Sequence, residues 1–220
     1  LFRSMDSPDY SMVEHTGTTI LAIKCVDGVV MASDSRSTIG NFVSSRISNK
    51  ITKVGNNVFV SRTGTTAHTQ ALSRFAKFGL GITNLFSDNG PNREVSIIAH
   101  QLQRMIQSNK DLSAAFICAG YDDEGPQVWE IAVSGMAIPR NFAANGSGSA
   151  YITAYCDDAL KDDMTIEEAT KVAIDAVTNA IIRDGASGGF VNVVQITANG
   201  NKRIIVKPKD QRFNYTIVKS

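Results

Sequence analysis

Histidine and cysteine are scarce here, three of each in 220 residues, and that removes much of the usual enzyme chemistry. His15, His68 and His100 have no second histidine or cysteine at ligand spacing, so no metal and no other cofactor is expected. Cys25, Cys118 and Cys156 are an odd number, widely spread, each inside an apolar or helical stretch. They suit reduced, buried thiols of an intracellular protein better than a disulfide frame or a catalytic pair with histidine. A phosphate-cradling loop is also missing, because Gly146-Ser147-Gly148-Ser149 lacks both the flanking spacing and a following lysine. Neither sign of charge dominates: 22 Lys and Arg face 21 Asp and Glu, which argues against a nucleic-acid-binding surface. No apolar run reaches the roughly 18 residues of a membrane span. No repeat period marks a solenoid.

What is present is a chain with 43% hydrophobic residues, enough for one large core. Residues 1–17 read as a polar leader with Pro8, Asp9 and several serines, no helical stripe and no secretory apolar segment. Because position 1 is leucine, the sequence is expected to start inside a longer precursor. The expected division is a leader over 1–17 and a single domain over 18–220.

Strand signals come first. Thr18–Cys25 and Gly28–Ser33 flank a break at Val26-Asp27, a strong hairpin signal. Gly40-Asn41 predicts a turn, Ser44–Ser48 irregular chain, and Lys50–Val54 and Val58–Arg62 a second hairpin around Gly55-Asn56-Asn57. Helical spacing follows at Leu72, Phe75, Phe78 or Gly79, Ile82 and Leu85-Phe86, ending near Asn89-Gly90-Pro91, and again at Val95, Ile98, Leu102, Met105 and Ile106. Ser113–Gly120, Gln127–Val133 and Met136–Ala144 predict three more strands. A helix is expected from Gly146–Ser149 to Leu160. Thr165-Ile166-Glu167-Glu168 forms a capping box that opens another, ending at Asp184-Gly185. Phe190–Thr197 and Arg203–Val206 close the chain as strands about Asn199-Gly200. Strand runs separated by helix pairs do not suit a βαβ wheel. They predict an α+β fold, a four-layer sandwich of two antiparallel sheets between helix layers.

With histidine, cysteine and metal set aside, the remaining nucleophile is a threonine hydroxyl. A threonine needs no histidine if it becomes the first residue of its chain. Its own α-amine, with an unperturbed pKa of about 8, is then a usable base near neutral pH. Thr18, after Gly17 and at the mouth of the first strand, is a plausible position for this, provided that the Gly17–Thr18 bond is cut. A neighbouring ammonium would help the hydroxyl ionise, and a carboxylate would hold that ammonium protonated. Lys50 and Asp34 lie at the ends of adjacent predicted strands, where sheet pairing could bring them to Thr18. Taken singly, each is an ordinary turn residue or solvated charge.

Six segments stand in order: Gly17-Thr18-Thr19-Ile20, Ala32–Arg36, Asn49-Lys50, Arg62-Thr63-Gly64, Gly146–Ser149 and Arg183–Gly189. Together they resemble the catalytic beta-type subunits of the 20S proteasome, members of the N-terminal-nucleophile hydrolases. The likeness covers Gly17 to about Val206. Within the family it is nearest to the caspase-like (beta-one) type, through Arg62 and residues 183–189.

The resemblance implies a threonine endopeptidase, made as a zymogen and matured by self-cleavage between Gly17 and Thr18. Thr18 is then the nucleophile, Lys50 with Asp34 lowers its hydroxyl pKa, and the Gly64 N–H donates to the oxyanion. Ser147, Asp184 and Ser187 hold the amine, a water and the lysine in place. Ser37, Thr38, Ser48, Thr52 and Thr66 are expected to contact substrate, with Arg62 at the base of a pocket that favours acidic side chains. Ser33, Thr63 and Thr66 depart mildly from the family pattern, all as small polar replacements. Expected partners are other beta-type and alpha-type subunits in stacked heptameric rings, and unfolded protein as substrate, in cytoplasm and nucleus, with no nucleic acid and no membrane. An inactive ring subunit, a homomeric bacterial-type threonine peptidase and a small-molecule amidase are the alternatives. While the leader is attached, the Thr18 nitrogen is an amide, and an uncut Gly17–Thr18 bond marks a precursor.

Overall fold

The computed structural model describes residues 17–40, 42–86, 92–209 and 214–219. The first strands are β1 (Ile20–Lys24), β2 (Gly28–Ser33), β3 (Ser37–Ile39), β4 (Phe42–Ser45), β5 (Ile51–Lys53) and β6 (Val58–Gly64). Helices α1 (Thr66–Phe86) and α2 (Glu94–Ser108) precede β7 (Ala114–Asp122), β8 (Gly125–Ile131), β9 (Ala137–Arg140) and β10 (Phe142–Asn145). Helices α3 (Ser149–Ala159) and α4 (Ile166–Arg183) lead to β11 (Val191–Thr197), β12 (Gly200–Lys209) and β13 (Asn214–Lys219).

The strands form a six-stranded antiparallel sheet in the order β10-β1-β2-β11-β12-β13 and a five-stranded one, β5-β6-β7-β8-β9. Side-chain parity stacks these sheets. On β1 and β2, Ile20, Ala22, Val29 and Met31 point into the space between the sheets, where they meet Phe59, Ile117 and Ala119. Their neighbours Leu21, Ile23, Val30 and Ala32 point the other way, onto α3 and α4 through Ile152, Ala173 and Val177. On the second sheet Val58, Val60, Phe116 and Cys118 pack under α1 and α2, against Leu72, Ile98 and Leu102. Strands covered on both faces need apolar residues at successive positions, which is why β1 and β2 read as continuous hydrophobic runs. The result is the expected four-layer α+β sandwich. Helix α4 starts as its sequence dictates: the Thr165 hydroxyl accepts from the Glu168 N–H at 3.3 Å, and the Glu168 carboxylate accepts from the Thr165 N–H at 3.0 Å.

Several local expectations are corrected. Helix α1 forms, but its Phe75, Phe78, Ile82, Leu85 and Phe86 are exposed. The face toward the core is instead Thr69, Leu72, Ser73, Ala76 and Leu80, small enough to let the helix lie close to the sheet. Periodicity marks a stripe but not which side the core is on. Met136–Ala144 is two strands, because the chain changes sheets at Asn141: β9 pairs with β8, whereas β10 pairs with β1. Part of Ser44–Ser48, read as irregular, belongs to β4, which among the described residues pairs with β3 in a separate two-stranded sheet. β12 extends to Lys209 and β13 adds an unpredicted edge. Asn41 of the predicted turn and the expected end of α1 near 89–91 lie outside the described residues, as do residues 1–16 of the leader.

Candidate active site

Thr18 and Thr19 lie at the rim of the six-stranded sheet, immediately before β1. The pairing of β1 with β2 sets Ile20 opposite Ser33, so the chain leaving β2 brings Asp34 alongside Thr19. Asp34 N–H donates to the Thr19 carbonyl at 3.1 Å, and Thr19 N–H donates to Asp34 Oδ1 at 2.9 Å. Lys50 enters from the other sheet, one residue before β5, and crosses the gap to the same place. Its ammonium donates to Asp34 Oδ1 at 2.6 Å, Thr18 Oγ1 at 3.1 Å and the Gly17 carbonyl at 3.0 Å. All three N–H bonds of the lysine are therefore used. The Thr18 hydroxyl completes the set by donating to the Gly17 carbonyl at 2.8 Å.

Asp34 is fully buried, and its second oxygen accepts from Arg36 N–H and Gly188 N–H, each at 3.1 Å. Burial lowers the proton affinity of Lys50, and the charge and hydrogen bond of Asp34, then the charge of Asp184, act to restore it. The lysine stays below its ordinary value, with the Arg36 charge adding to the depression.

A second network supports the Thr18 nitrogen. Thr18 N–H donates to Ser147 Oγ at 3.1 Å, and that hydroxyl donates to Asp184 Oδ2 at 2.7 Å. Ser187 Oγ donates to the same carboxylate oxygen at 2.7 Å and lies 2.7 Å from Thr19 Oγ1. Burial would raise the Asp184 carboxyl, but the Ser187 and Ser147 hydroxyls and the Ala186 N–H outweigh it and hold the group below the usual carboxylate range. Ser147 follows β10, and Asp184 and Ser187 follow α4, so the sheet edge and a helix end deliver them together.

A small cleft opens beside Thr18 and Lys50, with Arg36, Ser37, Ser48, Arg62, Gly64 and Thr66 in its wall. Gly64 ends β6 with φ +103°, and a side chain there would strike the Ser113 carbonyl, which makes glycine obligatory. Arg62 donates to the Asn49 carbonyl at 2.9 Å, and among the described residues no carboxylate pairs with it. Thr38 is buried and takes the Gly17 N–H on its Oγ1 at 3.1 Å, so it touches the leader. Thr52, opposite Val60 in β5, stands outside the cleft wall. The predicted site residues are thus brought together, with Thr52 apart.

Sequence reasoning missed Arg36, Thr69 and Ala186. Arg36 and Thr69 line the cleft, and Ala186 abuts Gly17 closely enough that a Cβ on the glycine would overlap it. Arg36 and Ala186 fall inside segments that the resemblance had already picked out. The thiols are elsewhere and inert: burial pushes Cys25 and Cys156 up to about 12. His68 and His100 sit on α1 and α2, outside the cleft wall. A wider groove elsewhere is lined by Lys24, Cys25, Leu160, Lys161 and Asp162, but burial holds its thiol protonated, whereas the Thr18 hydroxyl lies 3.1 Å from the Lys50 ammonium.

The proteasome subunit family matches residues 14–196. A probable proteasome subunit beta type-1 of Encephalitozoon cuniculi is 40% identical over 190 residues, spanning 86% of this chain and 92% of that protein. The proteasome subunit beta type-6 of Arabidopsis thaliana is 37% identical over 202 residues, 91% of this chain and 84% of its own. The proteasome subunit beta type-1 of Saccharomyces cerevisiae is 33% identical over 196 residues, with shares of 88% and 90%. A match of that extent, to relatives of the beta type, is carried by the whole sandwich and not by one motif: the chain belongs to the proteasome subunit family, as a beta-type subunit.

Proposed function

We propose that this subunit is a threonine endopeptidase of the 20S core, matured by cutting the Gly17–Thr18 bond and cleaving unfolded proteins preferentially after acidic residues. The observation that carries the reading is the ammonium of Lys50, which touches Thr18 Oγ1, Asp34 and the Gly17 carbonyl at once. In the uncut chain Gly17 carries the carbonyl of the scissile bond. Its carbonyl is polarised by Lys50, and its N–H is held by Thr38. Attack of Thr18 Oγ1 on the Gly17 carbonyl carbon forms an ester as the Gly17–Thr18 C–N bond breaks. The hydroxyl proton passes to the Thr18 nitrogen. Water then hydrolyses the ester, which leaves Thr18 with a free amine.

That amine stands beside Ser147 and Asp184, and acts as the base that the sequence otherwise lacks. It takes the Thr18 hydroxyl proton through a water while Oγ1 attacks a substrate carbonyl. The oxyanion forms near Gly64, whose N–H is the proposed donor. The ammonium returns the proton to the departing amine, and a water hydrolyses the acyl ester. Arg62, a cation in the cleft wall with no carboxylate partner among the described residues, suits an acidic side chain in the adjoining pocket. Partners are the other beta-type and alpha-type subunits of stacked heptameric rings. The deciding experiment uses the assembled particle with its other active subunits silenced. A threonine-directed electrophile should label Thr18, acidic reporter peptides should be cut, and Thr18→Ala should abolish both. A Thr18→Ala particle that still cuts them would show that Thr18 is not the nucleophile and that activity comes from another group.

A further inference from the structure

β5 is the outer strand of the five-stranded sheet, three residues long, and among the described residues it pairs with β6. Lys50 stands immediately before it. Arg62 N–H donates to the Lys50 carbonyl at 3.2 Å, so Lys50 and Arg62 form a bonded pair of the ladder. Bonded and non-bonded pairs alternate between antiparallel strands, so the next pair, Ile51 with Ser61, is of the non-bonded kind. The Ile51 N–H and carbonyl therefore face away from β6, toward the edge of the sheet. Groups left unpaired on an edge let a short strand fray or pair elsewhere.

Side chains take both groups. Asn49 Oδ1 accepts the Ile51 N–H at 3.1 Å, and the Ile51 carbonyl accepts from Arg203 Nη2 at 3.0 Å. Arg203 comes from the other sheet, 152 positions along the chain. It lies on β12 opposite Val194, which packs in the space between the sheets, while Ile204 beside it packs on the helix side. The guanidinium is half-buried, and among the described residues no carboxylate pairs with it. Burial works against its charge. An apolar side chain of that length would pack there at no greater cost. What the arginine adds is a bond from one sheet to the edge of the other.

Building on the reading of Thr18, Lys50 and Asp34 as a peptidase centre, we propose that Arg203 is a positioning residue for it, acting through Ile51. By holding the Ile51 carbonyl it fixes the start of β5 against the first sheet, and so sets the reach of Lys50 to Asp34 and Thr18. Those contacts, at 2.6 and 3.1 Å, leave little room for the strand to retreat. The charged groups that face the Lys50 ammonium are Asp34, Asp184 and Arg36, so Arg203 works on the backbone and not on that charge balance. Once β5 is released, Asp34 offsets burial less well, and the proton affinity of the lysine falls further.

The test uses assembled particles whose only active subunit is this one, with Arg203→Met, Arg203→Leu and Arg203→Lys. Arg203→Met keeps the aliphatic stem and removes every donor, and Arg203→Leu does the same work if the methionine variant assembles poorly. Misplacing the ammonium should lower kcat about 10- to 100-fold with KM nearly unchanged, because no substrate contact is lost. The alkaline limb of the kcat profile should move to lower pH in Arg203→Met. Arg203→Lys keeps a donor and should restore most of the rate and return the limb. Amide exchange over residues 50–53 should accelerate in Arg203→Met. A kcat within about twofold of the parent, a loss carried by KM, or a lowered kcat with an unmoved alkaline limb overturns the proposal. If the parent particle is itself unlabelled at Thr18, the peptidase reading fails and amide exchange alone decides: accelerated exchange upholds the hold of Arg203 on β5, unchanged exchange overturns it.

Discussion

Lys50 Nζ and Asp34 Oδ1 stand 2.6 Å apart with side chains 8% and 0% exposed, the one ion pair among the described residues taken out of water. The others, Arg93–Glu124 and Arg140–Glu130, are at 57% and 42% and at 48% and 27%. Exposed pairs of that kind contribute about 0–1 kcal/mol. A buried pair costs desolvation that only further hydrogen bonds offset, and here Thr19, Arg36 and Gly188 supply them. Such a pair adds little net stability over an apolar replacement. Breaking it by removing one partner costs about 3–5 kcal/mol, because the other charge is stranded. The pair holds an ammonium 3.1 Å from Thr18 Oγ1.

The pH dependence follows from Lys50. Burial pulls its proton affinity down, so it titrates below the ordinary lysine value of about 10.4. Activity that needs the ammonium is present on the acid side of that lowered value and lost as pH rises through it. Asp34→Asn removes the group that counteracts burial and should move this loss to lower pH, with kcat down about 100-fold or more. A pH–rate profile on the assembled particle reads both effects. An alkaline limb that does not move in Asp34→Asn excludes Lys50 as the titrating group.

Maturation should depend on the absence of a side chain at position 17. A Cβ on Gly17 would overlap the Ala186 Cβ and the Ala186 carbonyl oxygen. Gly17→Ala should therefore displace the scissile carbonyl from Lys50 and slow self-cleavage about 100-fold. Ala186→Gly in the same chain should restore only part, since the carbonyl contact remains. Intact mass of the subunit over time measures the conversion, and a Gly17→Ala chain maturing at the parental rate refutes the contact.

Specificity should follow Arg62. Arg62→Met removes the cation from the cleft wall and keeps much of its length, so preference should turn from acidic toward apolar residues. The ratio of kcat/KM for an acidic over an apolar reporter should fall about 100-fold or more, the scale of a buried charge-assisted hydrogen bond. A ratio that holds steady assigns the preference to a charge from a neighbouring subunit.

Thiol reagents should leave the native protein untouched. Cys25, Cys118 and Cys156 are buried, and burial pushes the Cys25 and Cys156 thiols up to about 12, so almost no thiolate exists near neutral pH. Iodoacetamide should modify all three only after unfolding, with reporter hydrolysis intact beforehand. Activity lost on alkylation of one native cysteine would reopen a thiol mechanism.

Much was decided by local sequence. Apolar runs bounded by Asp27-Gly28 and Asn199-Gly200 make hairpins because the turn residues and the alternating faces are set within a few positions. The Thr165–Glu168 box starts α4 for the same reason. The scarcity of histidine and the Gly17-Thr18 step pointed to Thr18 before any geometry was known. Tertiary structure alone decided what depends on a distant partner. The core side of α1 is set by what lies beneath it, so Ala76 faces inward and Phe78 outward. The change of sheet at Asn141 depends on β1 lying free to pair with β10. Above all, Lys50 is 32 positions from Thr18 and Ser147 is 129, and neither separation carries information about contact. Only the stacking of one sheet on the other carries the lysine across to the threonine, and only the end of α4 brings Asp184 to Ser147, because burial and pairing act through space and not along the chain.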